Sequence, residues 1–407
     1  MTTDPHIVIV GAGHAGGCAA AALRTAGFKG PVTLIGSERY LPYERPPLSK
    51  ELLAGAIPHE KTFLRPAAFY EDAQIALRLG ETVAAIDRQA QRLELEAGGN
   101  LAYDALLLTT GARARRLPLP GGDGPRVFYL RDIDDSLALR ERLQEGTRLA
   151  VIGAGFIGLE VAATARKRGV EVTVLELAPL PLARVAAPEI GAFVAALHRR
   201  KGVDLQTGIK VTAIEDLGDG LRISAEGSEP ILADYAAIGI GAQPNTELAQ
   251  AAGIETRDGI LVDAQGRSSD PGIFAAGDVT RHLNPLFGRQ IRLEAWQNAQ
   301  NQAIAVAKIM AGGQDPFSEV PWFWTDQYEV NLQMAGAPVR WDQVVWRGEP
   351  TEPGFTLFQL LEGKPVAAVT VNNARDMRFA RMLIQRAQVV DASALADKAI
   401  KLQDLAR

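Results

Sequence analysis

The sequence predicts an α/β protein in which a strand–turn–helix–strand unit occurs twice, followed by a small α+β domain. The glycine-rich turns are GAGHAG (11–16) and GAGFIG (153–158), and each lies between an apolar strand and a helical run. The strands that follow are VTLIG (32–36) and VEVTVLE (170–176). From about residue 317, strand-like alternation ends in a helix, which predicts the C-terminal domain. The repeated unit is typical of a Rossmann-like parallel sheet.

Length and composition limit the classes of protein. A chain of 407 residues is too long for one core, so two or three domains are expected. The net charge of −5 is too small to indicate a nucleic-acid or anionic-membrane partner. The single cysteine can form no internal disulfide and indicates no metal site. The apolar run Ile7–Val10 is followed at once by Gly11, and no run approaches the roughly 20 residues of a membrane span. A soluble, cytoplasmic protein is predicted.

Each turn has three glycines with separate tasks. The first permits the tight turn, the second lets the backbone approach a pyrophosphate, and the third lets the helix pack on the strand. The unpaired N–H groups and positive dipole end of the helix then face the phosphates. The first glycine is Gly11 or Gly153, the second is Gly13 or Gly155, and the third is Gly16 or Gly158.

Acidic residues near the ends of the second strands indicate ribose contacts. Glu176 ends its strand, where a carboxylate accepts hydrogen bonds from a ribose 2′-OH and repels a 2′-phosphate, so NADH is favoured over NADPH. In the first copy either Ser37 or Glu38 occupies this place. Two dinucleotide sites in one chain predict a flavin at one and a nicotinamide at the other.

Several further motifs carry a resemblance to a known family. They are YERPPLSK (43–50), LLLTTGA (106–112), IGIGAQPNTELA (238–249), IFAAGDVT (273–280), EAWQNAQNQ (294–302) and VPWFWTDQYE (320–329). With the two turns, they resemble the ferredoxin reductase components of bacterial oxygenase systems, which have the glutathione-reductase-like fold. The resemblance covers essentially the whole chain. It implies an FAD domain (1–111 and 236–316), an NAD domain (112–235) and a C-terminal α+β domain (317–407).

The resemblance also implies site residues. Lys50 is expected near the reactive face of the flavin and Arg45 near the cofactor. Glu160 is expected near the nicotinamide carboxamide and Lys50, as an orienting group. A helix beginning near Trp296 is expected to aim its positive end at the flavin. The family position at 37 can be Asp, whereas this chain has Ser37, which makes Glu38 the better candidate for the FAD ribose. The FAD contacts implied are Gly11, Gly13, Ala15, Gly16, Lys50, Val83, Arg131, Asp278 and Trp296.

The electron acceptor is predicted to be a separate protein. The chain has no CxxC pair, and Cys18, in the first helix, is interpreted as a small core residue. The resemblance implies that a [2Fe–2S] ferredoxin accepts the electrons and serves a cytochrome P450 or a ring-hydroxylating dioxygenase. Trp322 and Trp324 share a face if they lie on a strand, and Trp324 is the better candidate for the exit route.

Charge patterns and rival functions complete the prediction. Two groups of arginines, one at near-helical spacing near the C-terminus and one at the domain crossover, could steer an acidic ferredoxin. The arginines at near-helical spacing are also explained by a solvated helix face. Rubredoxin reductase, NADH oxidase and a redox-regulated binding protein similar to apoptosis-inducing factor remain alternatives. The arginines concerned are Arg375, Arg378, Arg381 and Arg386, and Arg113, Arg115 and Arg116.

Overall fold

The structure is a computed structural model that describes residues 5–406. Its strands are β1 Ile7–Val10, β2 Val32–Gly36, β3 Ile75–Leu79, β4 Val83–Asp87, β5 Arg92–Leu95, β6 Asn100–Ala102, β7 Ala105–Leu108, β8 Ala112–Ala114, β9 Val127–Tyr129, β10 Arg148–Ile152, β11 Glu171–Glu176, β12 Asp204–Thr207, β13 Val211–Asp216, β14 Leu221–Ala225, β15 Ile231–Ala233, β16 Tyr235–Ile238, β17 Ala242–Pro244, β18 Ile260–Val262, β19 Ile273–Ala275, β20 Thr280–Asn284, β21 Arg289–Ile291, β22 Trp322–Gln327, β23 Val330–Gly336, β24 Gln343–Arg347, β25 Phe355–Leu361 and β26 Lys364–Val371.

The α-helices are α1 His14–Thr25, α2 Glu51–Ala54, α3 Ala67–Asp72, α4 Ile133–Arg142, α5 Phe156–Lys167, α6 Pro188–Arg200, α7 Glu247–Ala251, α8 Trp296–Met310, α9 Ala374–Arg386, α10 Ala392–Ala396 and α11 Leu402–Leu405. Packing divides the chain into two compact units. The first contains the residues up to Arg45, Glu60–Arg113 and Gln243–Trp322, and the second contains Pro46–His59, Ala114–Ala242 and the residues from Phe323 onward.

The first unit is built on a parallel sheet with strand order β19-β7-β1-β2-β3. Ile7 of β1 pairs with Val32 on one side and with Ala105 on the other. Since the chain moves outward from β1 in both directions, the carboxyl end of β1 is the switch point where such sheets bind ligands. Small residues of α1 and α8, among them Ala19 and Ala303, are fully buried in one cluster, which explains why both helices are rich in alanine.

The second unit repeats this arrangement. Its parallel sheet has strand order β12-β11-β10-β16-β9, so β10 takes the place that β1 has in the first unit. Helix α4, which follows β9, begins with a capping box in which Asp132 accepts a hydrogen bond from the backbone of Asp135 and the Asp135 side chain bonds back.

The C-terminal residues of the second unit form an antiparallel sheet of order β22-β23-β26-β25-β24, together with α9. The inner face of this sheet belongs to the same hydrophobic cluster as the nucleotide-type sheet. For example, Phe355 of β25 packs against Phe193 of α6 with 5.2 Å between ring centroids.

These elements agree closely with the sequence. The strand at 32–36 has the predicted bounds, the strand predicted at 170–176 is observed as Glu171–Glu176, and α8 begins at Trp296 as predicted. The strands and terminal helix of the C-terminal α+β domain are also present. The cofactor-based domain boundaries stay a prediction. Along residues 5–406, no helix combines the length and apolarity needed to cross a membrane.

Candidate active site

In the first glycine turn, two glycines are required by the protein itself. Gly11 has φ +113°, and a Cβ on it would overlap the carbonyl of Thr109. A Cβ on Gly16 would overlap the carbonyl of Gly11. Gly13 differs, because the nearest atom to its Cβ position is Nη2 of Arg45, 3.8 Å away. The space beside Gly13 is therefore free for the close approach of a pyrophosphate, with a guanidinium at its edge.

The second turn repeats the pattern. Gly153 has φ +102°, and its Cβ would lie 2.5 Å from the carbonyl oxygen of Gly239. A Cβ on Gly158 would overlap the carbonyl of Gly153. The nearest atom to a Cβ on the middle glycine, Gly155, would be the carbonyl oxygen of Gly239 at 3.7 Å. Within the described chain, neither α1 nor α5 has a side-chain cap, so the first N–H groups of both helices remain available to phosphate oxygens.

A charged cluster borders the first turn. Arg45 Nη2 lies 2.9 Å from Glu38 Oε1, and the hydroxyl of Tyr43 donates to Glu38 Oε2 at 2.5 Å. Burial alone would lower the pKa of Arg45, but attraction to its neighbours, including Glu38 and Asp278, raises it, so the guanidinium stays charged. Ser37 is exposed and Glu38 is half-buried. Which of them contacts the FAD ribose stays a prediction.

The Gly277–Asp278 turn lies between α1 and α8. A Cβ on Gly277 would come 3.0 Å from the Cβ of Ala15, which fixes the close packing of the turn. Oε1 of Gln302 accepts from the backbone of Gly277 at 2.9 Å and from the hydroxyl of Thr280 at 3.0 Å. Sequence reasoning missed Gln302, although a polar side chain on an alanine-rich helix face was the available signal.

Buried polar atoms near the start of α1 and α8 fit a bound ligand. Among the described residues, Nδ1 of His14 and both amide atoms of Asn298 have no hydrogen-bond partner, although both side chains are buried. The His14 ring lies 5.0 Å from that of Trp296. Desolvation, with a smaller contribution from Arg45, lowers the pKa of His14 to about 4, so its ring is neutral. Buried orphan groups of this kind are normally satisfied, and a dinucleotide would supply partners.

In the second unit, Lys50 and Glu160 form a buried ion pair. Lys50 Nζ lies 2.8 Å from Glu160 Oε2 and donates to the carbonyl of Pro46 at 3.2 Å. Ser49 donates to the same carboxylate oxygen, while Thr325 donates to Oε1 at 2.6 Å. Glu160, the fifth residue of α5, is only 4% exposed. Its carboxylate is therefore held by three donors, and the structure brings together two of the predicted site residues, Lys50 and Glu160.

Glu176 is fixed at the end of β11. Oε2 accepts from the backbone N–H of Ala154 at 2.5 Å, and Oε1 accepts from that of Ala178 at 2.8 Å. Each carboxylate oxygen has a second lone pair, which leaves acceptor capacity for a ribose hydroxyl. The carboxylate thus has a fixed orientation beside the second glycine turn.

The remaining predicted residues occupy several elements. Val83 begins β4, and Trp324 lies on β22 with a partly exposed side chain. The backbone N–H of Arg131 donates to Asp135 just before α4. At the crossover, Arg113 is 2.6 Å from a carboxylate oxygen of Glu247.

The other arginines differ in their surroundings. Arg116 lies 3.4 Å from Asp123, so part of the crossover charge is neutralised, whereas Arg115 donates to a backbone carbonyl. On α9, Arg375, Arg378 and Arg386 are exposed. At the crossover, Arg113, Arg115 and Arg116 are exposed as well.

Two dinucleotide-type folds with open glycine turns define an oxidoreductase of the flavin and nicotinamide class. The comparisons agree: the chain belongs to the pyridine nucleotide-disulphide oxidoreductase family, which matches residues 5–303, and a reductase C-terminal domain matches residues 322–406. The glutathione-reductase-like fold class predicted from sequence is confirmed.

Relatives match along the full chain. A ferredoxin–NAD(+) reductase component of the anthranilate 1,2-dioxygenase system from Burkholderia cepacia is 45% identical, covering 99% of both chains. Putidaredoxin reductase from Pseudomonas putida is 38% identical over all of this chain and 97% of that protein. A crystal structure of the covalent putidaredoxin reductase–putidaredoxin complex has a TM-score of 0.96 at 38% identity and covers 99% of this chain and 98% of that one. The ferredoxin reductase for the CYP199A2 system from Rhodopseudomonas palustris has a TM-score of 0.95 at 39% identity, covering 99% of this chain and all of that one.

Proposed function

We propose that the protein is an FAD-dependent NADH:ferredoxin oxidoreductase whose acceptor, a [2Fe–2S] ferredoxin, serves a cytochrome P450 or a ring-hydroxylating dioxygenase. The observation that carries this proposal is the pair of glycine turns in which a Cβ on the middle glycine would overlap no protein atom. Relatives named for this activity match the entire chain. FAD and NAD(H) are accordingly the cofactors.

The residues of the first turn fit FAD. Bound FAD supplies the conversion of a two-electron hydride into single electrons. Gly13 leaves room for its pyrophosphate, and the charged guanidinium of Arg45 lies at the edge of that space. Asp278, on the turn fixed by Gln302, is the proposed acceptor for ribityl hydroxyls. The other proposed contacts are Gly11, Ala15, Gly16, Ser37 or Glu38, Lys50, Val83, Arg131 and Trp296.

The second turn is the proposed NADH site. Gly153, Gly155 and Gly158 are the proposed turn residues, and Glu176, whose carboxylate is held by the backbone of Ala154 and Ala178, is the proposed acceptor for the adenosine ribose hydroxyls. Its negative charge would repel a 2′-phosphate. Glu160 and Lys50 are the proposed orienting groups for the carboxamide. A carboxylate accepts from the carboxamide NH₂ and an ammonium donates to its oxygen, so the pair matches both ends of this group. Hydride transfer depends mainly on such orientation.

The second half of the reaction requires a route to the acceptor. Trp324, partly exposed on β22, is the proposed residue on that route, and the exposed arginines of α9 are the proposed attractive surface for an acidic ferredoxin. A Trp324→Ala variant is expected to reduce ferredoxin slowly while ferricyanide reduction by NADH stays near wild type. Equal loss in both assays would contradict an exit role.

The function is tested by adding carriers one at a time to purified holoenzyme and NADH. Cytochrome c reduction that depends on a [2Fe–2S] ferredoxin is the expected result. Dependence on rubredoxin instead would make it a rubredoxin reductase, and rapid oxygen consumption without a carrier would make it an NADH oxidase. A long-lived reduced complex with NAD and negligible turnover would favour a redox-regulated binding protein. A cytoplasmic location is also proposed, where NADH is available, and cell fractionation tests it.

A further inference from the structure

A chain of buried polar side chains leads away from Glu160 within the second unit. Thr325 and Gln327 lie on alternate positions of β22, and His198 lies near the end of α6. Their exposures are 1%, 3% and 0%, so water does not compete for their hydrogen bonds. We refer to Thr325, Gln327 and His198 as the relay.

The direction of each hydrogen bond follows from chemistry. A carboxylate only accepts, so the hydroxyl of Thr325 donates to Glu160 Oε1 at 2.6 Å. The same hydroxyl oxygen accepts from Nε2 of Gln327 at 3.2 Å. The carbonyl oxygen of the Gln327 amide lies 2.8 Å from Nε2 of His198, which must then be the protonated ring nitrogen.

The outer end of the relay is consistent with that tautomer. Burial lowers the pKa of His198, opposed by its bond to Gln327, so the ring is neutral and its Nδ1 is an acceptor. The hydroxyl of Tyr328 lies 3.5 Å from Nδ1, on the donor side. Every donor in the series therefore points toward Glu160.

Each relay residue fixes one rotation in its neighbour on the side toward Glu160. The torsion of a carboxylate about its last bond is soft, so its orientation depends on its hydrogen-bond donors. Ser49 and Lys50 hold one oxygen of Glu160, and Thr325 holds the other. The hydroxyl proton of a threonine rotates freely. Because the hydroxyl oxygen of Thr325 accepts the N–H of Gln327, its own proton is directed toward Glu160. An amide can flip, and His198 fixes which end of Gln327 faces Thr325.

We propose that Thr325, Gln327 and His198 are positioning residues that hold Glu160, and through it Lys50, in the orientation that binds the nicotinamide end of NADH. This proposal rests on the proposed function of Glu160. It assigns to the C-terminal sheet a part in nicotinamide recognition, since two of the three relay residues belong to that sheet. A purely structural role would instead predict that loss of the relay weakens folding and leaves recognition of the nicotinamide unchanged.

The experiment compares two ligands by calorimetry on oxidised holoenzyme. NAD⁺ has the nicotinamide group, and ADP-ribose lacks it but keeps the part that Gly155 and Glu176 are proposed to bind. In Thr325→Val, which keeps the shape and removes the donor, we expect the dissociation constant of NAD⁺ to rise about five- to tenfold, which corresponds to the net contribution of one ordinary hydrogen bond. The dissociation constant of ADP-ribose should stay within about twofold of wild type. In kinetics, the KM for NADH should rise more than kcat falls.

Matched variants separate positioning from stability. Thr325→Ser keeps the hydroxyl and should restore wild-type NAD⁺ binding. Thr356→Val removes another buried hydroxyl-to-carboxylate bond of the same sheet, 3.1 Å to Asp376, and should lower stability without changing either ligand. If Thr325→Val does not fold, Gln327→Met carries the same test, because it leaves the hydroxyl in place without its orienting donor.

The outcomes are distinct. Equal weakening of NAD⁺ and ADP-ribose, or unchanged NAD⁺ binding in both relay variants, would overturn the relay proposal while leaving the enzyme's function intact. Wild-type holoenzyme that is not reduced by NADH would instead overturn the proposed function. Selective weakening of NAD⁺, rescued by serine, supports the relay.

Discussion

The thiol of Cys18 lies 3.8 Å from Nε2 of His14, inside the cluster that packs α1 against α8. Desolvation raises the pKa of this thiol to about 11, with Arg65 lowering it less, so the sulfur stays protonated at neutral pH. A protonated thiol is neither a good nucleophile nor a ready partner in disulfide exchange. The sequence-based interpretation of Cys18 as a packing residue agrees with this environment.

Removal of this thiol should therefore leave catalysis intact. We expect Cys18→Ala to keep NADH-dependent ferredoxin reduction within about twofold of wild type, because truncating one small, partly buried side chain costs little. Iodoacetamide at pH 8 should not inactivate the native enzyme, whereas the unfolded chain should label at its one thiol. Inactivation of native wild type that Cys18→Ala resists would show that the thiol takes part in the reaction.

The glycines of the first turn should differ in what they affect. Gly11→Ala should lower the free energy of unfolding by about 3 kcal/mol, since it combines positive φ with overlap of a carbonyl. Gly13→Ala should fold like wild type but bind FAD at least about tenfold more weakly, because its methyl would fill only ligand space. Flavin absorbance and unfolding of the apoprotein measure the two effects. Gly155→Ala, with normal FAD content and weakened NAD⁺ binding, is the matched comparison.

The Lys50–Glu160 pair should behave as a buried ion pair. Replacing either partner leaves the other charge uncompensated, so Lys50→Met or Glu160→Gln should each cost about 3 kcal/mol of stability. Both should also lower kcat/KM for NADH by more than about tenfold, while the double variant should be far from additive. Denaturant unfolding and steady-state kinetics give these values. Glu247→Gln, which removes the exposed partner of Arg113, is the control and should change stability by less than about 0.5 kcal/mol.

Cofactor preference should depend on Glu176. In Glu176→Gln, the shape and one acceptor remain, but the negative charge is lost. The value of kcat/KM for NADH should fall about tenfold, and that for NADPH should hold or rise, because the 2′-phosphate is no longer repelled. The ratio of the two values is the measurement. Glu171→Gln, at the exposed opposite end of β11, should leave it unchanged.

Acid should destabilise the fold partly through His282. Within residues 5–406, neither ring nitrogen of this buried residue has a hydrogen-bond partner, and desolvation lowers its pKa from 6.5 to about 4. The unfolded state therefore takes up the proton first, so the stabilising contribution is complete above pH 6.5 and is lost as pH falls toward 4. Between pH 7 and pH 5 the loss should be about 2 kcal/mol. His282→Phe should be at least as stable at pH 7 and lose about 2 kcal/mol less than wild type on acidification; an unchanged pH dependence would contradict this.

The regular part of this molecule was predictable because its signals are local. Strand β2 ends at Gly36, and strand β10 ends at Ile152, directly before the second glycine turn. Helix α8 begins at Trp296, where the helical run of the sequence begins. The relay was not predictable, since His198 and Gln327 are 129 residues apart and only packing joins them. The pairing of Lys50 with Glu160 was reached only through the family resemblance.

Charge was the weakest part of the sequence reasoning. Glu38, expected at a ribose, is engaged by Tyr43 and Arg45, while Arg113 and Arg116 have acidic neighbours that their spacing did not reveal. Pairing of this kind depends on which surface side chains meet in space. Net charge and local spacing contain no such information.

The continuous core that joins Phe193 to Phe355 makes the last 85 or so residues a poor unit of exchange. A chimera that takes only its C-terminal segment from another reductase would therefore have a mismatched interior where that segment meets the parallel sheet. A chimera that exchanges the parallel sheet and the C-terminal sheet of the second unit together would keep this core intact. The interior of the C-terminal sheet is thus shared with the parallel sheet of the second unit.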